Sequence, residues 1–369
     1  MQQWYSAPPG MGIDDERRTE ERNSIRRLAN RCGLVMLLLL LGMYVVSFGL
    51  SFLGANYWKA LPGWLTNNFS FSDTANLLLN LIFYLGIIPL LLWYCNRQSK
   101  TRLSEYLRFP AMPKKAVWKL VLMGFGVVWA ASEAGSFVYM GINSLLEMLF
   151  HIQMNTPDVT VDRNPVSIAV LVLGSAILAP FFEELFARCG LVGTLRAHGG
   201  VFTAIATGVM FGFMHTNFQQ VFFAAMMGIY AGFVTYRTRS VWPAILLHFM
   251  VNGISVLQSI ALSFTDINGI TYQEIEYLMR VDPQYLLSQL VPMGMVSLLS
   301  LLFLALGVTG LVVFIKTLIK YPQEFSLPDE RRHSLLRTRD KCKIFFASPA
   351  IIVFLIFSVL LSCMNAFIG

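Results

Sequence analysis

Residues 166–189 read VSIAVLVLGSAILAPFFEELFARC, a run without a charged side chain until Glu183, after which Glu184 and Arg188 follow. A helix of this length exceeds the roughly 18 apolar residues that cross a bilayer. Comparable runs occupy 33–54, 74–95, 117–149, 200–216, 218–236, 241–263, 288–315 and 344–366. Only 13% of the 369 residues are charged and 56% are hydrophobic, with a mean hydropathy of +0.59. A soluble domain carries about 25% charged residues. The composition therefore excludes a soluble globular protein and predicts an all-α, polytopic transmembrane helical bundle of eight to nine spans.

Two runs are irregular. The stretch 117–149 is too long for one upright span, so it is expected to tilt, to project from the bilayer, or to bend near Gly135. The spans 200–216 and 218–236 must be joined by a tight turn at His215 to Asn217, which could lie at the outer interface. The net charge of +7 and pI near 9.2 do not indicate nucleic acid, because the basic residues sit beside apolar runs. Of the 28 Lys and Arg, all but Lys59, Arg163 and Arg280 fall in 1–32, 96–119, 188–200, 237–240 and 316–343. By the positive-inside rule these segments face the cytoplasm, placing the N-terminus inside and the C-terminus outside. The reading is an integral, multi-pass protein, best suited to a bacterial plasma membrane.

Four regions follow: a cytoplasmic segment 1–32 that is a short surface helix or loose chain, helices in 33–150, a core at 165–263, and helices in 288–369 around a basic linker, 316–343. No cleavable signal is expected, since the first apolar run reads as a retained span. Cys32, Cys95, Cys189, Cys342 and Cys363 form no disulfide framework. Asn68-Phe69-Ser70 fits a glycosylation acceptor, relevant only in a eukaryotic secretory membrane.

A carboxylate at the bilayer centre costs about 2.5–3.5 kcal/mol on insertion scales, so each intramembrane ionisable group asks for a reason. Glu183, Glu184, Arg188, His215 and His248 are those groups, with the neutral amide of Asn252 near them. Glu184 and Arg188 stand at i and i+4 and can pair, which makes Glu184 structural. Glu183 is left without a local cation and becomes the candidate general base. Pro180 cannot donate its helical bond to Ala176, and a kink there would admit water. His215 lies roughly 22 Å along its helix from Gly200, so it can reach the same depth as Glu183. Asn252 shares the face of His248. A metal is not expected, because the His-Glu-x-x-His spacing is absent. Glu133, among Ala131, Ser132, Ala134, Gly135 and Ser136, reads as a hydrogen-bonded helix contact or, alternatively, a cavity lining.

Glu183-Glu184-x-x-x-Arg188, Phe211-x-x-x-His215 and His248-x-x-x-Asn252, in that order on successive spans, resemble the CAAX-protease and bacteriocin-processing family of glutamic intramembrane endopeptidases. The resemblance covers about 165–256 and extends to the approach Tyr236 to Pro243. It implies that Glu183, assisted by His215, activates water, that His248 and Asn252 stabilise the oxyanion, and that Glu184 and Arg188 support them. No cofactor is implied. The expected activity is metal-independent hydrolysis of membrane-associated protein or peptide substrates, in a site opening toward the cytoplasmic half. A non-catalytic scaffold or bacteriocin self-immunity protein, and a proton-coupled transporter, are the alternative readings. The last two spans have no counterpart in the resemblance.

Overall fold

Among the residues described by the computed structural model (13–60, 62, 70–155, 161–265, 272–327 and 334–367), all regular structure is helical. Within hydrocarbon, a helix satisfies every backbone N–H and C=O internally, which is why each apolar run folds this way. The helices are α1 (Ile13–Tyr57), α2 (Phe71–Ser99), α3 (Leu103–Tyr106), α4 (Lys114–Phe150), α5 (Pro165–His198) and α6 (Gly200–Phe213). They continue as α7 (Phe218–Thr238), α8 (Trp242–Ser263), α9 (Tyr272–Val281), α10 (Pro283–Lys320), α11 (Thr338–Phe346) and α12 (Pro349–Phe367). Eight of them, α1, α2, α4, α5, α7, α8, α10 and α12, are long and apolar enough to cross a membrane.

Of the nine expected spans, the fifth, 200–216, is corrected to a short helix. α6 has 14 residues and is about 21 Å long, less than a hydrocarbon core of about 30 Å. It ends because the chain turns at Met214 to Asn217 and returns as α7, whose Asn217 side chain caps the Gln219 N–H at 2.9 Å. α6 and α7 approach closely through Gly208, Gly212 and Gly228. A Cβ on Gly208 would fall inside the backbone of Ile229. Gly208→Ala is therefore expected to destabilise the protein by about 1–3 kcal/mol through overpacking. Gly294→Ala, where a Cβ meets open space, should leave thermal unfolding of the detergent-solubilised protein unchanged or raise its midpoint.

The long run at 117–149 belongs to one uninterrupted helix of 37 residues, about 55 Å long, and no break occurs at Gly135. Glu133 lies about 28 Å from Lys114 along α4, so one bilayer thickness separates them. Its side chain is exposed rather than packed between helices.

The segment before the first span is neither loose nor separate: from Ile13 onward it continues α1. Buried Glu21 accepts hydrogen bonds from Ser334 Oγ at 2.7 Å and from the N–H groups of Leu335 and Leu336 at 3.1 and 3.3 Å. Lys341 Nζ lies 3.7 Å from Glu21 and donates to the His198 carbonyl at 2.7 Å. The basic linker is thus pinned to α1, and its end is α11; the last span begins at Pro349 rather than 344. Residues 328–333 of the linker, 1–12, and Asn68 with Phe69 of the glycosylation acceptor lie outside the described residues.

Burial alone would raise the Glu21 carboxyl, but the hydrogen bonds from Ser334 and Leu335 and the charge of Lys341 hold it below the usual value. A depressed carboxyl stabilises the fold above its unfolded pKa, about 4.3. That contribution is lost as pH falls through the folded value. Hydrogen exchange across 334–346 should therefore accelerate below about pH 4. In Glu21→Gln it should be fast already at pH 7.

Candidate active site

Local chemistry in α5 sets the site. The N–H of Ala179 bonds to the carbonyl of Gly174, five residues back rather than four. Pro180 has no N–H to offer. The widened turn releases the carbonyl of Ser175, which accepts a hydrogen bond from Asn252 Nδ2 at 2.9 Å. The kink expected at Pro180 is taken up as this wider turn, and it ties α8 to α5. α2 is widened in the same manner at Phe83–Ile87, opposite Glu183.

Glu183 Oε1 accepts from the Tyr84 hydroxyl at 2.9 Å, while its buried Oε2 has no hydrogen-bond partner. The Nε2 of His215 lies 3.9 Å from Oε2. His215 Nδ1 sits 2.8 Å from the Phe211 carbonyl. A carbonyl only accepts, so Nδ1 carries a proton, and whenever the ring is neutral it is Nε2 that presents the lone pair. The i+4 spacing of Phe211 and His215 thereby fixes the tautomer.

The turn after His215 is strained. Thr216 has φ of 47°, an uncommon conformation for a β-branched residue. It is held from both ends of the chain. Its hydroxyl is 3.2 Å from Tyr44 Oη on α1, and its carbonyl accepts from Asn365 Nδ2 of α12 at 2.9 Å. Ser358 of α12 donates to the Phe213 carbonyl.

Glu184 and Arg188 are fully buried and paired, with Nε to Oε2 at 2.7 Å. Arg188 also donates to the Gly228 carbonyl at 2.9 Å. The other oxygen of Glu184 accepts from His248 Nδ1 at 3.1 Å. Phe211 is the hub between the two couples. Its ring lies 5.2 Å from that of His215, 5.9 Å from that of His248, and 5.2 Å from the Arg188 guanidinium.

Glu183, His215, Tyr84 and Asn80 line a cavity of about 200 Å³ walled by α1 and α2. Among the described residues, neither His248 nor Asn252 lines it; they belong to the adjoining couple. Tyr84 was not singled out in the sequence. The signal was Asn80 and Tyr84 at i and i+4, two polar groups on one face of an apolar span. Asn80 also lines a second, polar recess of about 380 Å³ containing Asp73, Asp162, Ser167 and Ser175. That recess lies at the N-terminal ends of α2 and α5, opposite the ends that carry Arg97 and Arg196. The Glu183 cavity and this recess share Asn80 in their linings.

Residues 165–254 match the family model described as Type II CAAX prenyl endopeptidase Rce1-like. The CAAX-protease resemblance holds for this segment. A stretch of 144 residues, 37% of the chain, is 25% identical to "Putative membrane peptidase YdiL" of Bacillus subtilis (strain 168) and spans 58% of that relative's length. No solved structure matches the chain. At family level the comparisons support a membrane protease. The CAAX-type segment comprises α5 to α8, and Tyr84, Asn365 and the α1 wall of the cavity come from outside it.

Proposed function

We propose that this chain is an intramembrane endopeptidase that hydrolyses peptide bonds of membrane-associated proteins or peptides, with Glu183 activating water directly. The observation that carries the reading is the pairing of Glu183 Oε2 with His215 Nε2, 3.9 Å apart. In the proposed resting form, with the His215 ring neutral and Glu183 ionised, both atoms are acceptors and cannot satisfy one another. One water donating a hydrogen to each satisfies both and keeps its lone pairs for a carbonyl in the cavity. As the new C–O bond forms, the proton passes to Glu183. It then moves to the leaving amine as the C–N bond breaks. The donors proposed for the oxyanion are the second amide hydrogen of Asn252, oriented by Ser175, and Nε2–H of His248 as the imidazolium paired with Glu184; neither lines the cavity at rest, so the bound substrate must extend its carbonyl toward them. The proposed activation needs no metal. The proposed orientation keeps the N-terminus cytoplasmic.

Peptides that accumulate when the protein is deleted, identified by mass spectrometry, supply test substrates. The purified chain should cleave one of them in ¹⁸O-labelled water and place a single ¹⁸O in the new C-terminal carboxylate. Proton-driven solute flux in reconstituted vesicles, without cleavage, would replace this reading with a transporter. Neither activity, with binding of the peptides retained, would leave a scaffold.

A further inference from the structure

One face of α2 carries Asp73, Asn76, Asn80 and Tyr84, at intervals of three, four and four residues. Such intervals keep all four on a single side of the helix, over about 16 Å of its length. An apolar span gains nothing from a stripe of this kind in lipid, and polar groups at membrane depth face protein or a water-filled space. Asp73, Asn76 and Asn80 line the recess of about 380 Å³, and Asn80 and Tyr84 line the Glu183 cavity of about 200 Å³. Each space is far larger than the roughly 30 Å³ that one water occupies.

The two ends of the stripe are matched by protein groups. Asp73 accepts from the hydroxyls of Ser70 and Ser167 at 2.7 and 2.6 Å, which ties the mouth of the recess to α5. Tyr84 donates to Glu183 at 2.9 Å. The middle of the stripe is different: among the described residues, the side-chain amides of Asn76 and Asn80 have no hydrogen-bond partner in the protein. An amide left dry costs about 1–3 kcal/mol, whereas a bridging water satisfies it at little cost. Asn80 stands at the junction of the two spaces. Gly174, in the widened turn Val172–Leu178, leaves room for its amide, since a Cβ there would come within 2.5 Å of Asn80 Nδ2. Beyond the junction, Glu183 Oε2 is buried and lacks a donor.

We propose that this stripe is the route by which water reaches Glu183, entering the recess at the N-terminal ends of α2 and α5 and passing the amide of Asn80 into the cavity. The use of that water in hydrolysis rests on the peptidase reading; its presence at Asn80 does not.

The test is cysteine accessibility in the full chain held in phosphatidylcholine nanodiscs, where a membrane-impermeant reagent meets both faces. The probe is trimethylammonium-ethyl methanethiosulfonate, a cation suited to a recess that contains Asp73 and Asp162. Intact mass counts modified thiols against the parental chain and its five cysteines. The thiolate is the reacting form and apolar surroundings suppress it, so Asn76→Cys and Asn80→Cys should be modified at least about tenfold faster than Leu78→Cys. Leu78 lies between them in sequence, on the other face of α2, and is 41% exposed. Ser175→Cys, a one-atom change in the α5 wall of the recess, should likewise outpace Ile177→Cys, and it gives the same reading if an asparagine variant does not fold. Modification at position 80 should then abolish cleavage of a peptide substrate, and modification at 78 should leave it intact. Equal rates at the recess and lipid-facing positions would overturn the proposal, and so would unchanged cleavage after full modification at 80. A parental chain that cleaves no peptide would defeat the peptidase reading instead, and the labelling rates would still decide whether water reaches Asn80.

Discussion

Glu183→Gln is expected to lower turnover by about 10³-fold, within the 10²–10⁴ range for removal of a positioned general base, while the protein folds as before. The amide is nearly the same shape. Its oxygen can still accept from Tyr84, which now makes a 2.9 Å bond to Oε1. Its NH₂ group would replace Oε2 and donate to the His215 lone pair. The couple would close on itself, and no acceptor would remain to take a proton from water. Initial rates of peptide cleavage and unfolding midpoints, measured on one preparation, check the prediction. Cleavage at the parental rate by Glu183→Gln would remove Glu183 from the chemistry. Loss in Glu184→Gln with full activity in Glu183→Gln would exchange the roles of the two acids.

Arg188→Met should cost about 3–5 kcal/mol of stability, because it leaves Glu184 as a buried carboxylate without its cation. Arg188 and Glu184 are both 0% exposed, so water cannot stand in for the missing charge. Loss of the guanidinium would also free the Gly228 carbonyl on α7. The double variant Glu184→Leu/Arg188→Met should recover much of the loss, since replacing both partners of a buried pair by apolar groups is often neutral. Equilibrium unfolding in mixed detergent micelles tests the pair. A double variant less stable than Arg188→Met would mean that Glu184 stabilises the fold mainly through His248 rather than through the arginine.

The helical membrane architecture was legible in the sequence because length and hydropathy determine it locally. The Glu184 and Arg188 pair was legible for the same reason, since i and i+4 is a property of one helix. The length of α6 was not, because an apolar run does not reveal where its helix stops. The division of the polar residues into a Glu183 and His215 couple and a Glu184, His248 and Arg188 cluster was not legible either. It depends on how Phe211 packs between two helices. Tyr84 and Asn365 were missed because they act across 99 and 149 residues of sequence. An ordinary tyrosine in an apolar span and an asparagine near the C-terminus carry no spacing that points to a distant partner.

The clamp on the Thr216 turn bears on when the molecule becomes active. Asn365 reaches that turn only after 149 further residues of chain, which a ribosome adds on the order of ten seconds later. Until α12 has been inserted and docked, nothing from that helix holds the strained corner next to His215. A nascent chain that has just passed residue 254, about two-thirds of the full length, would carry every residue of the CAAX-type segment and still lack the support of α12 beside the proposed Glu183 and His215 couple. Under the proposed mechanism, Tyr44 and Asn365 together hold this corner only in the completed chain, so peptide cleavage is expected to begin after α12 has docked.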